Sequence, residues 1–196
     1  MIVLGLTGGI ASGKSTVLKM FAREGAATYD ADKAVHRLLA SDGETAAAIH
    51  RVFPGIGDHP PVDRALLGKI VFGDEAAMHT LESILHPRVR VMETLFLRNC
   101  RLAGKKLAVC DIPLLFETSA EDRYDAVIAV VCPASMQKQR ALARRGMTLE
   151  RYQQVTQRQM SSYEKLKRAD FAVHTGLGLA YSYREVVEIL NAMGVK

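Results

Sequence analysis

Apolar residues in this chain fall into two kinds of run. Short unbroken runs lie at 2–6, 26–29, 107–110, 126–132 and 171–173. Each is bounded by turn residues and reads as a buried strand. The run 126–132 is the longest at seven residues, is rich in valine and isoleucine, and stops at Pro133. Because these runs do not alternate with polar residues, they predict a parallel sheet covered on both faces. Between them the apolar positions recur at helical spacing. Val17, Leu18 and Phe21 mark a helix over 14–24, with Gly25 as its stop. Val35, Leu38 and Leu39 mark a second, and Ser41 to Glu44 resembles a capping box before a third. A Gly- and Pro-rich stretch, 54–61, reads as a loop. Helical stretches follow at 63–72 and 74–85. His86-Pro87 then punctuates the chain, with proline at the start of a longer helix over 88–103 that carries Val91, Met92, Leu95, Phe96 and Leu102. Basic helices at 134–145 and 148–160, joined at Gly146, and a closing helix at 180–193 complete the pattern. Strands alternating with helices predict an α/β doubly wound architecture, interrupted at 33–103 by a helical insertion.

Length and composition narrow this further. A chain of 196 residues with 48% apolar content builds a core of its own as one domain. No apolar run approaches the ~18 residues that span a bilayer. No basic stretch precedes the first apolar run, and neither end carries a lipidation motif, so no secretory signal or anchor is expected. Cys100, Cys110 and Cys132 are too widely spaced for a disulfide framework or a zinc site. Cys110 and Cys132 sit in strand-like runs and are expected to be buried, inert thiols. A reducing, cytoplasmic setting fits all of this.

Charge changes the picture more. The formal net charge is +5, which first points to a polyanionic partner. Residues 136–168 hold nine Lys or Arg and two acids, a local net of +7. The rest of the chain carries 17 basic and 19 acidic residues. The excess therefore belongs to one segment. That segment has only two aromatics, Tyr152 and Tyr163, which gives little support to a base-stacking surface and hence to nucleic acid as the partner.

The candidate chemistry starts at Gly8-Gly9-Ile10-Ala11-Ser12-Gly13-Lys14-Ser15, a full match to G-x-x-x-x-G-K-[ST] between a strand and a helix. In such a loop, successive N–H groups and the helix N-terminus converge on phosphate oxygens. The expected nucleotide-binding residues are Gly9, Ile10, Ala11, Ser12, Gly13, Lys14, Ser15 and Thr16. Lys14 reaches the outer phosphates, and the Ser15 hydroxyl holds Mg²⁺. Asp111 ends an apolar strand as a second Mg²⁺ candidate, or as a turn aspartate. A GTPase needs an Asn-Lys-x-Asp motif, and neither Asn99 nor Asn191 begins one. A small kinase with a phosphate loop, a helical acceptor region and a basic lid remains.

Further motifs sharpen that class. Leu6-Thr7-Gly8-Gly9-Ile10, Asp30-Ala31-Asp32, Asp63-Arg64, Leu85-His86-Pro87, the run from Asp111 to Glu117, and Ala169-Asp170 together resemble the dephospho-CoA kinases, over residues 2 to about 175. The resemblance implies a P-loop core with a five-stranded parallel sheet flanked by helices, assigned to 1–32, 105–134 and 169–196. It implies a helical CoA-binding region at 33–104 and a basic lid at 135–168, all within one domain. It further implies transfer of the γ-phosphoryl of ATP, with Mg²⁺, to the ribose 3′-hydroxyl of dephospho-CoA. Asp32 is then the catalytic base, with Asp30 as the helix cap beside it, and Arg140 follows the transferring charge beside Lys14. Arg64, His86, Leu114 and Asp32 are the expected acceptor-binding residues. Arg144, Arg145 and Arg158 read as a solvated basic face, and Leu115 and Phe116 as site wall or core. Closure of the basic segment about Gly146 is a further expectation. Two positions depart from the family pattern. Ala11 stands where glycine is common, which a negative φ would tolerate, and Thr175 stands near where an asparagine meets the adenine. A nucleoside or nucleoside-monophosphate kinase, and a nucleotide-gated nucleic-acid binder, are the competing readings.

Overall fold

The computed structural model describes residues 1–195. Five strands form one sheet: β1 (Ile2–Thr7), β2 (Ala27–Asp30), β3 (Leu107–Asp111), β4 (Ala126–Val131) and β5 (Phe171–His174), in the order β2-β3-β1-β4-β5. The sheet is parallel, with Leu6 beside Asp111 and Thr7 beside Ala129 in register. β1 is central, so its carboxyl end opens into the crevice where α/β sheets place their ligands.

The five expected strands are all present, each within a residue or two of its apolar run. Helix α1 (Lys14–Arg23) and helix α9 (Leu179–Ala192) cover one face. There Val17, Phe21, Val186 and Ile189 meet Leu4, Leu6, Val109, Ile128 and Val173 in the main core. α1 closes as expected at Gly25: the Ala26 N–H reaches the Phe21 carbonyl at 3.1 Å and the Gly25 N–H reaches Ala22 at 3.0 Å, which is a Schellman stop. On the other side Leu115, Phe116 and Ala120 pack on Val127 of β4. α8 (Ser162–Arg168) also packs on β4.

The chain divides into two compact units: residues 1–29 with those from Asn99 on, and Asp30–Arg98. The second is helical, with α2 (Ala31–Ser41), α3 (Gly43–Val52), α4 (Arg64–Val71) and most of α5 (Glu75–Leu102). Its core includes Leu38, Leu39, Ile49, Phe53, Leu67, Leu81 and Leu85.

Several boundaries differ from the sequence expectation, each for a local reason. α5 runs through Pro87 as one helix of 28 residues, without the break at His86-Pro87. Pro87 has no N–H to give the Ser83 carbonyl one turn back; beside it, the Arg88 guanidinium donates to the Ile84 carbonyl at 2.8 Å. Val91, Leu95 and Leu102 lie on this helix but are exposed. The cap of α3 is Asp42, whose carboxylate accepts from the Thr45 N–H at 2.9 Å, in place of a Ser41–Glu44 box. The basic segment forms three helices where two were expected: α6 (Ala134–Leu142), α7 (Leu149–Arg158) and α8. The capping box at Ser161 and Glu164 starts the third. Cys110 is buried, whereas Cys132 is only half-buried. No helix among the described residues is long and apolar enough to cross a membrane.

Candidate active site

The loop between β1 and α1 follows the sequence motif. Gly8 sits where a Cβ would lie 2.4 Å from the Val130 carbonyl oxygen, so no side chain fits. Gly13 has φ +98 and caps α1 in the left-handed region, with Thr175 packed against it. Thr16 N–H returns to the Gly13 carbonyl at 2.9 Å, which starts the helix and directs its N-terminus at the loop. Lys14 Nζ donates to the Gly8 carbonyl at 2.9 Å, which holds the ammonium over the loop. Ser15 and Thr16 are exposed in the first turn. Ala11 overturns the expectation of a negative φ: it is at +56 and buried. An L-residue there costs about 1–2 kcal/mol, and the loop's own geometry imposes the cost.

Asp111 ends β3 beside Leu6 and is buried. A carboxylate oxygen and an exposed serine hydroxyl are hard donors of the kind Mg²⁺ takes alongside phosphate oxygens and water. A cluster of three His, Cys, Asp or Glu that would cage a metal is absent among the described residues. The donor types of Ser15 and Asp111 fit a Mg²⁺ that shares its shell with phosphate oxygens and water.

Arg140 donates to the Thr175 hydroxyl at 3.2 Å and to the Thr175 carbonyl at 3.0 Å. The Thr175 hydroxyl in turn donates to the Ser12 carbonyl. Thr175 therefore ties the arginine of α6 to the phosphate loop, a use of the hydroxyl that the sequence did not show. Leu114 is half-buried, and its carbonyl accepts from Thr118. Leu115 and Phe116 belong to the core.

Sequence reasoning missed the most buried charge of this unit. Lys165, counted among the basic run, is fully buried. Its ammonium donates to Thr7 Oγ1 at 3.2 Å, the Pro113 carbonyl at 3.0 Å and the Glu117 carboxylate at 2.9 Å. Burial pulls its pKa below the ordinary lysine value; Glu117 opposes this, and the charge of Lys14 adds to it. Arg168 is also spent on the protein, pairing with Glu121 and stacking on Phe116. Nothing in the spacing of the basic residues distinguishes these from solvated ones. Arg144, Arg145 and Arg158 are exposed, as expected.

In the helical unit, Asp30 caps α2, accepting from the Lys33 N–H at 3.0 Å. This takes the capping role, so Asp32, exposed in the first turn, is not needed for it. Asp63 caps α4 by accepting from Ala65 and Leu66, and Arg64 bonds the His36 ring at 2.7 Å. His86 is half-buried, and burial holds its pKa below the usual value.

The family model for dephospho-CoA kinase matches residues 2–179. The chain belongs to the dephospho-CoA kinase family. It is 48% identical to the dephospho-CoA kinase of Mesorhizobium japonicum, covering 98% of this chain and 97% of that one. It is 43% identical to that of Agrobacterium fabrum, covering 99% of both. Among solved structures, a Thermus thermophilus protein superposes with a TM-score of 0.81 at 30% identity, over 98% of this chain and 97% of that one. The dephospho-CoA kinase from Campylobacter jejuni superposes at 0.70 and 28% identity, over 97% and 96%. A shikimate kinase from Acinetobacter baumannii, at 0.53 and 19% identity over 98% and 93%, shares the fold. The family is one of ATP-dependent kinases, which accounts for the phosphate loop on the central strand.

Proposed function

We propose that this chain transfers the γ-phosphoryl group of ATP to the ribose 3′-hydroxyl of dephospho-CoA, giving coenzyme A and ADP, the final step of coenzyme A biosynthesis. Family membership over nearly the whole chain, together with an intact phosphate loop, carries the reading.

In this reading the loop from Gly9 to Thr16 cradles the phosphates, with the Ile10 N–H kept by Gln159 and the Thr16 N–H by the Gly13 carbonyl, and Lys14 turns from the Gly8 carbonyl to the outer phosphate oxygens. Mg²⁺, when bound, neutralises charge on those oxygens; Ser15 and Asp111 are its protein-side partners. Asp32 accepts the proton of the 3′-hydroxyl as that oxygen bonds to phosphorus and the bond to ADP breaks. The assignment of Asp30 as the cap supports it. Arg140 lies one hydroxyl away from the loop and follows the charge that spreads over the equatorial oxygens. Arg64, His86 and Leu114 contribute to acceptor binding. The case for a nucleic-acid role is weakened because three of the nine basic residues of the segment, Lys165, Arg168 and Arg140, make contacts within the protein. A cytoplasmic location fits the reaction.

The test is a comparison of initial rates with ATP-Mg²⁺ on dephospho-CoA, AMP and other nucleoside monophosphates. Dephospho-CoA is expected to be turned over fastest. Faster turnover of a nucleoside monophosphate would replace this reading with a nucleotide kinase.

A further inference from the structure

The turn between α7 and α8 is hydrogen-bonded to the phosphate loop. The Ile10 N–H, third of the eight motif residues, donates to Gln159 Oε1 at 2.8 Å. The next residue, Met160, donates its N–H to Glu117 Oε1 at 2.7 Å. Glu117 is held by the buried Lys165. Gln137, itself buried, donates to Ser162 Oγ at 3.1 Å, and its amide lies 3.2 Å from where a Cβ of Gly9 would stand. The carboxamides of Gln137 and Gln159 therefore flank the first half of the loop.

A carboxamide has an acceptor end and a donor end. With the Ile10 N–H on its oxygen, Gln159 presents its NH₂ group away from that bond, with its side chain half-buried. We propose that Gln159 is a phosphoryl-contacting residue of this enzyme. Its oxygen is anchored on Ile10, and its NH₂ donates to an oxygen of the terminal phosphoryl group of the bound nucleotide. Glu117 and Lys165 are the positioning residues that hold Met160 and so preorganise the amide. The loop N–H groups make the site recognise phosphate; Gln159 makes it distinguish a third phosphate from a second. The proposal rests on the loop binding ATP and is independent of the acceptor.

Gln159→Glu separates donor from anchor. A carboxylate still accepts from the Ile10 N–H but has no hydrogen to give and repels phosphate. Gln159→Met removes both ends at similar length. Equilibrium binding of Mg-ATP and Mg-ADP is measured for each protein, with kcat and thermal midpoint alongside. The expected result is that Gln159→Glu loses at least ~10-fold in ATP affinity and about 100-fold in kcat, with ADP affinity within ~3-fold and an unchanged midpoint. Gln159→Met is expected to weaken ATP over ADP in the same direction. An unchanged ATP-to-ADP ratio in either variant would overturn the proposal, and a shift in Gln159→Glu that the uncharged Gln159→Met does not share would overturn it too, since charge repulsion alone would then explain it. Wild-type protein that binds neither nucleotide would instead overturn the reading of the loop.

Discussion

Lys165→Met removes the ammonium from a pocket in which the lysine side chain is 0% and its partner Glu117 16% exposed. Thr7 and the Pro113 carbonyl lose a donor, and the Glu117 carboxylate is left charged. Breaking a buried pair from one side costs about 3–5 kcal/mol. The residual exposure of Glu117, and the Met160 N–H that it still accepts, place this case near about 3 kcal/mol. For a chain of this size each kcal/mol moves the midpoint by about 2–4 °C, so a drop of about 6–12 °C is expected. Glu117→Gln keeps the acceptor for Met160 but removes the charge. In the double variant no buried charge is unpaired, and stability is expected to return to within about 1–2 kcal/mol of wild type. Glu117→Gln strands the buried Lys165 charge and should also cost about 3 kcal/mol, so urea unfolding of all four proteins, with equal m-values, is expected to yield a coupling of about 4–5 kcal/mol. A single variant losing less than about 1 kcal/mol, or a cycle that is additive, would refute the description of Lys165 as a buried, paired cation.

Further outcomes follow from the same geometry. Ala11→Gly relieves the positive φ of Ala11. Set against the entropy of glycine, it should raise stability by about 0.5–1 kcal/mol by urea unfolding; a loss would contradict the strain. Asp32→Asn should lower kcat by at least ~100-fold with ATP affinity nearly unchanged, and near-normal turnover would remove Asp32 from the base role. Lys14→Ala should cripple both ATP binding and turnover; wild-type values would mean that the loop does not hold phosphate. His86 has a folded pKa below 6.5 through burial, so the unfolded chain takes up the proton first. Its contribution to stability is present above pH 6.5 and is lost as pH falls through the lower folded value. His86→Gln should flatten that slope in unfolding measured across this range, and an unchanged slope would place the cause elsewhere.

What the sequence made legible was local. The strand runs, the phosphate loop, the Asp30 cap and the stop at Gly25 each depend on residues within a turn of one another. The helix through Pro87 was not legible, because a proline reads in sequence as a helix start whether or not the helix runs on through it. Lys165 lies 158 residues from Thr7 in the chain and Gln159 lies 149 from Ile10. Such contacts leave no periodicity. A lysine that ends up buried looks, in sequence, like its exposed neighbour Lys167. The positive φ at Ala11 was hidden for a related reason: the motif leaves that position unspecified, and the backbone path is set by the glycines around it. The net charge misled in the same way, since some of the basic segment is spent inside the protein.

The central claim is a phosphoryl transfer to one particular hydroxyl. Incubation of the purified protein with ATP-Mg²⁺ and dephospho-CoA, followed by ³¹P NMR of the isolated product, reads that position directly. The account predicts a ribose 3′-monophosphate formed mole for mole with ADP. Phosphate at any other position, or ADP released without a phosphorylated acceptor, would contradict it.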